Sequence, residues 1–152
     1  MKLLEKILEE AIKECRYSNE VKGRIEGDKI ILEWEDQATT IELNVCDENL
    51  RKYMDEVRNW LKEKIEVFVA ERKVLKFLEQ YKLYPNSVSA FSPVDIEVRF
   101  ENLDMYIYMY FVINQNNNNE VRLYRVSITP KNKTSEDVTL HFVGNLLLGF
   151  SL

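Results

Sequence analysis

Apolar residues recur at two different periods along this chain, and the switches between them divide it into elements. Leu3, Leu4, Ile7, Leu8, Ala11, Ile12 and Cys15 fall at helical spacing with Glu and Lys between them, which predicts an amphipathic helix over 2–16. The period then changes to two. Val21 to Glu26, Lys29 to Trp34 and Thr39 to Val45 alternate and are rich in β-branched residues, the pattern of a three-stranded meander. Gly27-Asp28 supplies its first turn and residues 35–38 its second. Asp47 is placed to cap a long helix, because Leu50, Met54, Val57, Leu61, Ile65 and Phe68 recur at three and four residues. No Gly, Pro, Ser or Asn lies between Trp60 and Tyr84, so this helix is expected to reach about Tyr81. Its apolar stripe drifts after Phe68 towards Val74, Phe77, Leu78 and Tyr81, and a kink or a strand at 65–69 is the alternative.

Residues 84–93, bounded by Pro85 and Pro93, read as a loop. A hairpin follows. Val94, Ile96, Val98 and Phe100 alternate with charged residues, and Met105-Tyr-Ile-Tyr-Met-Tyr-Phe111 alternates apolar with tyrosine. An even loop at Asn102-Leu103, or at Glu101 to Asp104, sets Phe100 opposite Met105 and Val98 opposite Ile107. All apolar residues then share one face. The other face pairs Arg99 with Tyr106, Glu97 with Tyr108 and Asp95 with Tyr110. Asn114 to Asn119 is a polar loop, and Val121 to Thr129 is a third strand. From Ser135 onward Val138, Phe142, Val143, Leu146, Leu147 and Phe150 share a helical face, with a terminal strand at 138–143 as the alternative. The expected fold class is α+β: a single domain over 1–152 in the order α-βββ-α-βββ-α, its mostly antiparallel sheet packed against a long central helix.

That order of elements, with small size and a pI of 5.1, resembles the class I secretion-chaperone-like fold. The resemblance implies a small sheet beside helices, in a domain that dimerises to hold partner chains. The second helix here is longer than that pattern has, and there is one extra strand.

An apolar share of 45% and a charged share of 31% are those of a globular chain, and 152 residues suffice for a real core. No apolar run approaches the ~18 residues that span a bilayer, and the first turn carries Lys2, Glu5 and Lys6 rather than a secretory apolar stretch. The expectation is a cytoplasmic protein with no membrane contact. Two cysteines, Cys15 and Cys46, are too few for a disulfide framework and are expected to be reduced thiols. Four Gly and four Ala, set against abundant Ile, Lys, Glu, Asn and Tyr, resemble the composition of small proteins from thermophilic archaea and their viruses.

The net charge of −5 is uneven: residues 1–50 carry −6, residues 51–93 carry +3 and residues 94–152 carry −2. Overall acidity disfavours indiscriminate phosphate binding but leaves room for a local basic face. At about 100° per residue, Arg51, Arg58, Lys62, Lys73 and Lys76 fall near one line along the second helix. A solvated face is the ordinary explanation and nucleic-acid contact the sharper one.

Tyr106, Tyr108 and Tyr110, with Arg99 and with Arg125 or Tyr124 on the next strand, are the candidate interface. Tyrosine and arginine are enriched where proteins dock, although a solvent-facing sheet also tolerates them. Acidic Asp95 and Glu97 beside the ladder make base stacking the weaker reading. The same two carboxylates with Arg99 would be the material of a metal-dependent nuclease, a third alternative without a placed third acid. His141, the sole histidine, has no nucleophile argued to be near it. There is no Gly-rich phosphate loop, no CxxC and no nucleophile elbow, so no catalytic residue, metal or cofactor is assigned. The leading expectation is a non-catalytic domain that binds a protein partner or forms a homodimer. A nucleic-acid-binding module is the alternative.

Overall fold

Glu26 pairs with Lys29 across a two-residue turn, and Gly27 takes the positive φ of 65° that such turns require. A computed structural model describes residues 2–131 of the chain. The meander predicted around that turn is present as β1 (Val21–Glu26), β2 (Lys29–Trp34) and β3 (Gln37–Glu42), antiparallel in the order β1-β2-β3. The second turn is Glu35-Asp36, two residues shorter than the expected 35–38, so Trp34 pairs with Gln37 and Glu35 takes φ 52°. Alternation in β2 sends Ile30, Leu32 and Trp34 into a core with Leu4, Ile7, Leu8 and Ala11 of α1 (Lys2–Glu14). The expected helix from Asp47 is present with two adjustments. Cys46, not Asp47, occupies the cap position and makes no side-chain cap bond, while Asp47 and Glu48 place acids in the first turn. A single non-helical residue, Tyr53, divides the segment into α2 (Asp47–Lys52) and α3 (Met54–Glu79), with the Tyr53 and Val57 amides still bonded to carbonyls four residues back.

The described residues divide into two compact units on either side of the Val69–Ala70 bond, each with a core of its own. This division explains the drifting stripe on α3. Leu61, Ile65, Phe68 and Val69 enter the first core, whereas Ala70, Val74 and Leu78 enter the second. Residues 65–69 are therefore helical, not a strand, and the change of stripe is a change of core. The helix ends at Glu79, and the turn after it is closed by Lys82, which adopts φ 58°, while the Leu83 amide reaches back to the Leu78 carbonyl at 3.1 Å.

Close approach within the first unit depends on Gly23 in β1. A Cβ built there would lie 2.8 Å from Ile12 Cδ1 and 3.3 Å from both Leu8 Cδ2 and Leu32 Cδ2. Gly23→Val is therefore expected to cost about 1–3 kcal/mol, the overpacking range, read as a lowered urea midpoint. Gly27→Ala, with open space at its Cβ but a positive φ, should cost about 1 kcal/mol from backbone strain alone. Equal midpoints for Gly23→Val and wild type would contradict the close packing of α1 on β1.

The second unit is a four-stranded antiparallel meander, β4 (Ser87–Ser92), β5 (Asp95–Glu101), β6 (Met105–Asn114) and β7 (Glu120–Pro130), paired in that order. Strand β4 lies where a loop is expected. Side chains at both its ends hold it: Asn86 Oδ1 accepts the Glu101 amide at 2.8 Å, and Ser92 Oγ accepts the Val94 and Asp95 amides at 3.2 Å each. Burial along β6 alternates perfectly, with Met105, Ile107, Met109, Phe111 and Ile113 buried and the residues between them partly exposed. The buried row joins Ile96, Val98 and Phe100 beneath the Ala70, Val74 and Leu78 stripe of α3, where Phe77 meets Phe111 edge-on at 5.8 Å. The molecule is thus α+β with antiparallel sheets packed on a long helix. The helix or strand expected after Ser135, and His141 within it, lie outside the described residues.

Candidate functional site

Hairpin register decides what surrounds the tyrosines. Phe100 pairs with Ile107 and Val98 with Met109, two residues on from the expected pairs, because the turn is longer than expected. Asn102 Oδ1 accepts the Asp104 and Met105 amides at 2.8 and 2.9 Å, closing an Asx turn just beyond the last β5–β6 pair, Glu101 with Tyr106. A shift of two preserves which face each residue occupies but changes its neighbours. Tyr106 stands opposite Glu101, Tyr108 opposite Arg99 and Tyr110 opposite Glu97, while Asp95 faces Val112 instead of Tyr110.

On the other flank Tyr106 pairs with Thr129, Tyr108 with Ser127 and Tyr110 with Arg125. The register then slips: Phe111 pairs with Leu123, which leaves Tyr124 as the extra residue of a bulge. That bulge adds a fourth ring to the ladder. Tyr124 is exposed, and its ring centroid is 6.3 Å from that of Tyr110. Tyr106 and Tyr108 rings lie 6.4 Å apart.

Cations lie over two of the rings. The Arg99 guanidinium lies 5.6 Å from the Tyr106 centroid, a diagonal reach across the hairpin, and Lys131 Nζ lies 4.8 Å from the same ring. Arg125 lies 5.3 Å from the Tyr110 centroid. Glu101 ties this array together, accepting from Lys131 Nζ at 2.6 Å with Arg99 Nη2 at 3.9 Å. The bond from Lys131 holds the Glu101 carboxyl below its usual value, and loss of water with the nearby Glu97 carboxylate holds the Tyr110 phenol above its own. Tyr106, Tyr108, Tyr110 and Arg99 are thus brought together as the alternation predicts. Lys131 and Glu101 are not among the residues the sequence singles out, since Lys131 lies past the expected strand and Glu101 falls at the strand's end or in the longer of the two possible turns.

The basic positions on the helices have a different setting. Arg51 lies in α2, Arg58 and Lys62 in the first-unit part of α3, and Lys73 and Lys76 in the part belonging to the second unit. Arg58 is turned onto α1, within 3.5 Å of Glu10, 3.3 Å of Glu14 and 3.0 Å of Asp55, so its charge is met by three carboxylates. Asp95 and Glu97 remain on the Tyr side of β5, and among the described residues no three His, Cys, Asp or Glu side chains are grouped to hold a metal ion. Cys15 is buried and Cys46 exposed, both as free thiols, and burial pushes the Cys15 thiol up. No described helix is long and apolar enough to cross a membrane. Compared with known proteins, the chain matches no family model, no curated protein and no solved structure.

Proposed function

We propose that this protein is a non-catalytic interaction domain and that the tyrosine face of the second unit's sheet docks another protein. One observation carries the reading: four tyrosines and three cations interlock on the sheet face opposite the core, each ring partly covered by a neighbour. Side chains already held in place lose little further freedom on binding, and Tyr and Arg are the residues that dominate docking energies. The face mixes signs, with Glu97 and Glu101 among Arg99, Arg125 and Lys131, which suits a protein surface of mixed charge better than a polyphosphate backbone.

Affinity capture from the source cell tests this. Wild type should recover a protein partner, and Tyr106→Thr with Tyr108→Thr and Tyr110→Thr should lower the recovery at least about tenfold, since each such ring is worth roughly 1 kcal/mol or more at a docking centre. Threonine keeps strand propensity, so circular dichroism should be unchanged. Undiminished recovery by the triple variant would refute the face, and capture of nucleic acid lost on raising salt would favour the alternative.

A further inference from the structure

We propose that β4 pairs antiparallel with β4 of a second copy of this chain, about a two-fold axis centred on Ser89, joining two four-stranded sheets into one of eight strands. This is independent of the tyrosine face. Among the described residues the sheet of the second unit has two outer strands, and they are built differently. β7 carries Arg122 and Arg125, is broken by the Tyr124 bulge, and is followed at once by Lys131, all devices that discourage a further strand. β4 has a register shift of its own, at Phe91 between Ala90 and Ser92, but Ser87 to Ala90, before it, pair regularly with β5. It carries no charged residue and no internal proline, and its side chains are small apart from Val88 and Phe91.

A two-fold axis sets each residue against itself or its symmetric mate at about 4.5–5.5 Å, so one charge on the strand would meet its own copy. Centring on Ser89 sets Val88 of one chain against Ala90 of the other, twice. Those residues lie in register with buried Val98 and Ile96 and are only partly covered where the core runs out at this edge. Pairing therefore continues the core row across the axis. Phe91, at the register shift that ends this regular stretch, is 65% exposed. The outer strand β3 of the other sheet fails the same test. It carries a charged residue, Glu42, where β4 carries none.

Light scattering on the full chain at tens of micromolar should give a dimer mass. Ser89→Lys should halve that mass, by placing two ammonium groups across the axis, while Ser89→Thr should leave it intact. In a Cys46→Ser background, mild oxidation of Ser89→Cys should form a covalent dimer, whereas Thr40→Cys on exposed β3 should not. A monomeric wild type, a dimer unmoved by Ser89→Lys, or no cross-link at position 89 would each overturn the pairing. A monomer that still captures a partner through the tyrosines would overturn it and leave the docking face standing.

Discussion

Met109→Ala should lower the stability of this protein by about 2–5 kcal/mol, while Tyr108→Thr, one residue away, should cost less than about 1 kcal/mol. Met109 is fully buried, paired with Val98 and packed in the core that joins β5, β6 and the Val74–Leu78 stretch of α3. Truncation there removes apolar contact and leaves a cavity that the sheet, pinned by its hydrogen bonds, cannot collapse to fill. Tyr108 points the other way and is only half-buried, between Arg99 and Ser127. Threonine there keeps a β-branched residue in the strand and forfeits ring contacts worth tenths of a kcal/mol each. Urea midpoints measured on the two variants decide the matter. Equal losses would mean that the two faces of β6 are not distinct, and the docking face would fall with them.

Glu66→Ala should cost about 2–4 kcal/mol, more than any other single change of a charged residue in the first unit. Glu66 is the buried charged residue among those described, at 7% exposure. Its Oε2 accepts the Arg16 backbone amide at 3.0 Å and lies 3.5 Å from Arg16 Nε, so it anchors the segment after α1 to the middle of α3. Alanine would take the acceptor from a part-buried amide and a counter-charge from the Arg16 side chain, itself about three-quarters covered. Glu66→Gln keeps an acceptor and should cost about half as much. A urea series on both variants separates the hydrogen bond from the charge. If the two lose the same amount, the charge pairing is the whole contribution. If neither loses more than about 0.5 kcal/mol, Glu66 does not anchor the segment.

Patterning conveyed the faces of the elements better than their ends. Period-two alternation placed Met105, Ile107, Met109 and Phe111 in the core and the three tyrosines outside it, because parity survives any shift of two. The partners did not survive it. An Asx turn at Asn102 depends on one side-chain oxygen meeting two amides, and nothing in the alternation marks it. Strand β4 was hidden for a related reason: Ser, Ala and two flanking prolines carry weak strand propensity, and pairing with β5 outweighs it. The drift of apolar positions along α3 was legible, but its cause was not, since one helix serving two cores looks in sequence like a helix with a kink. Lys131 was invisible as a site residue because its role is to reach back to Glu101 and Tyr106, thirty and twenty-five positions earlier.

The most direct test of the docking face is a photo-activated cross-linker placed at position 108 in the source cell, with position 62 on α3 as the comparison. Reaction from position 108 should trap a protein in high yield, and reaction from position 62 should trap little. Adducts to nucleic acid from position 62, with none to protein from position 108, would contradict the assignment of the tyrosine face.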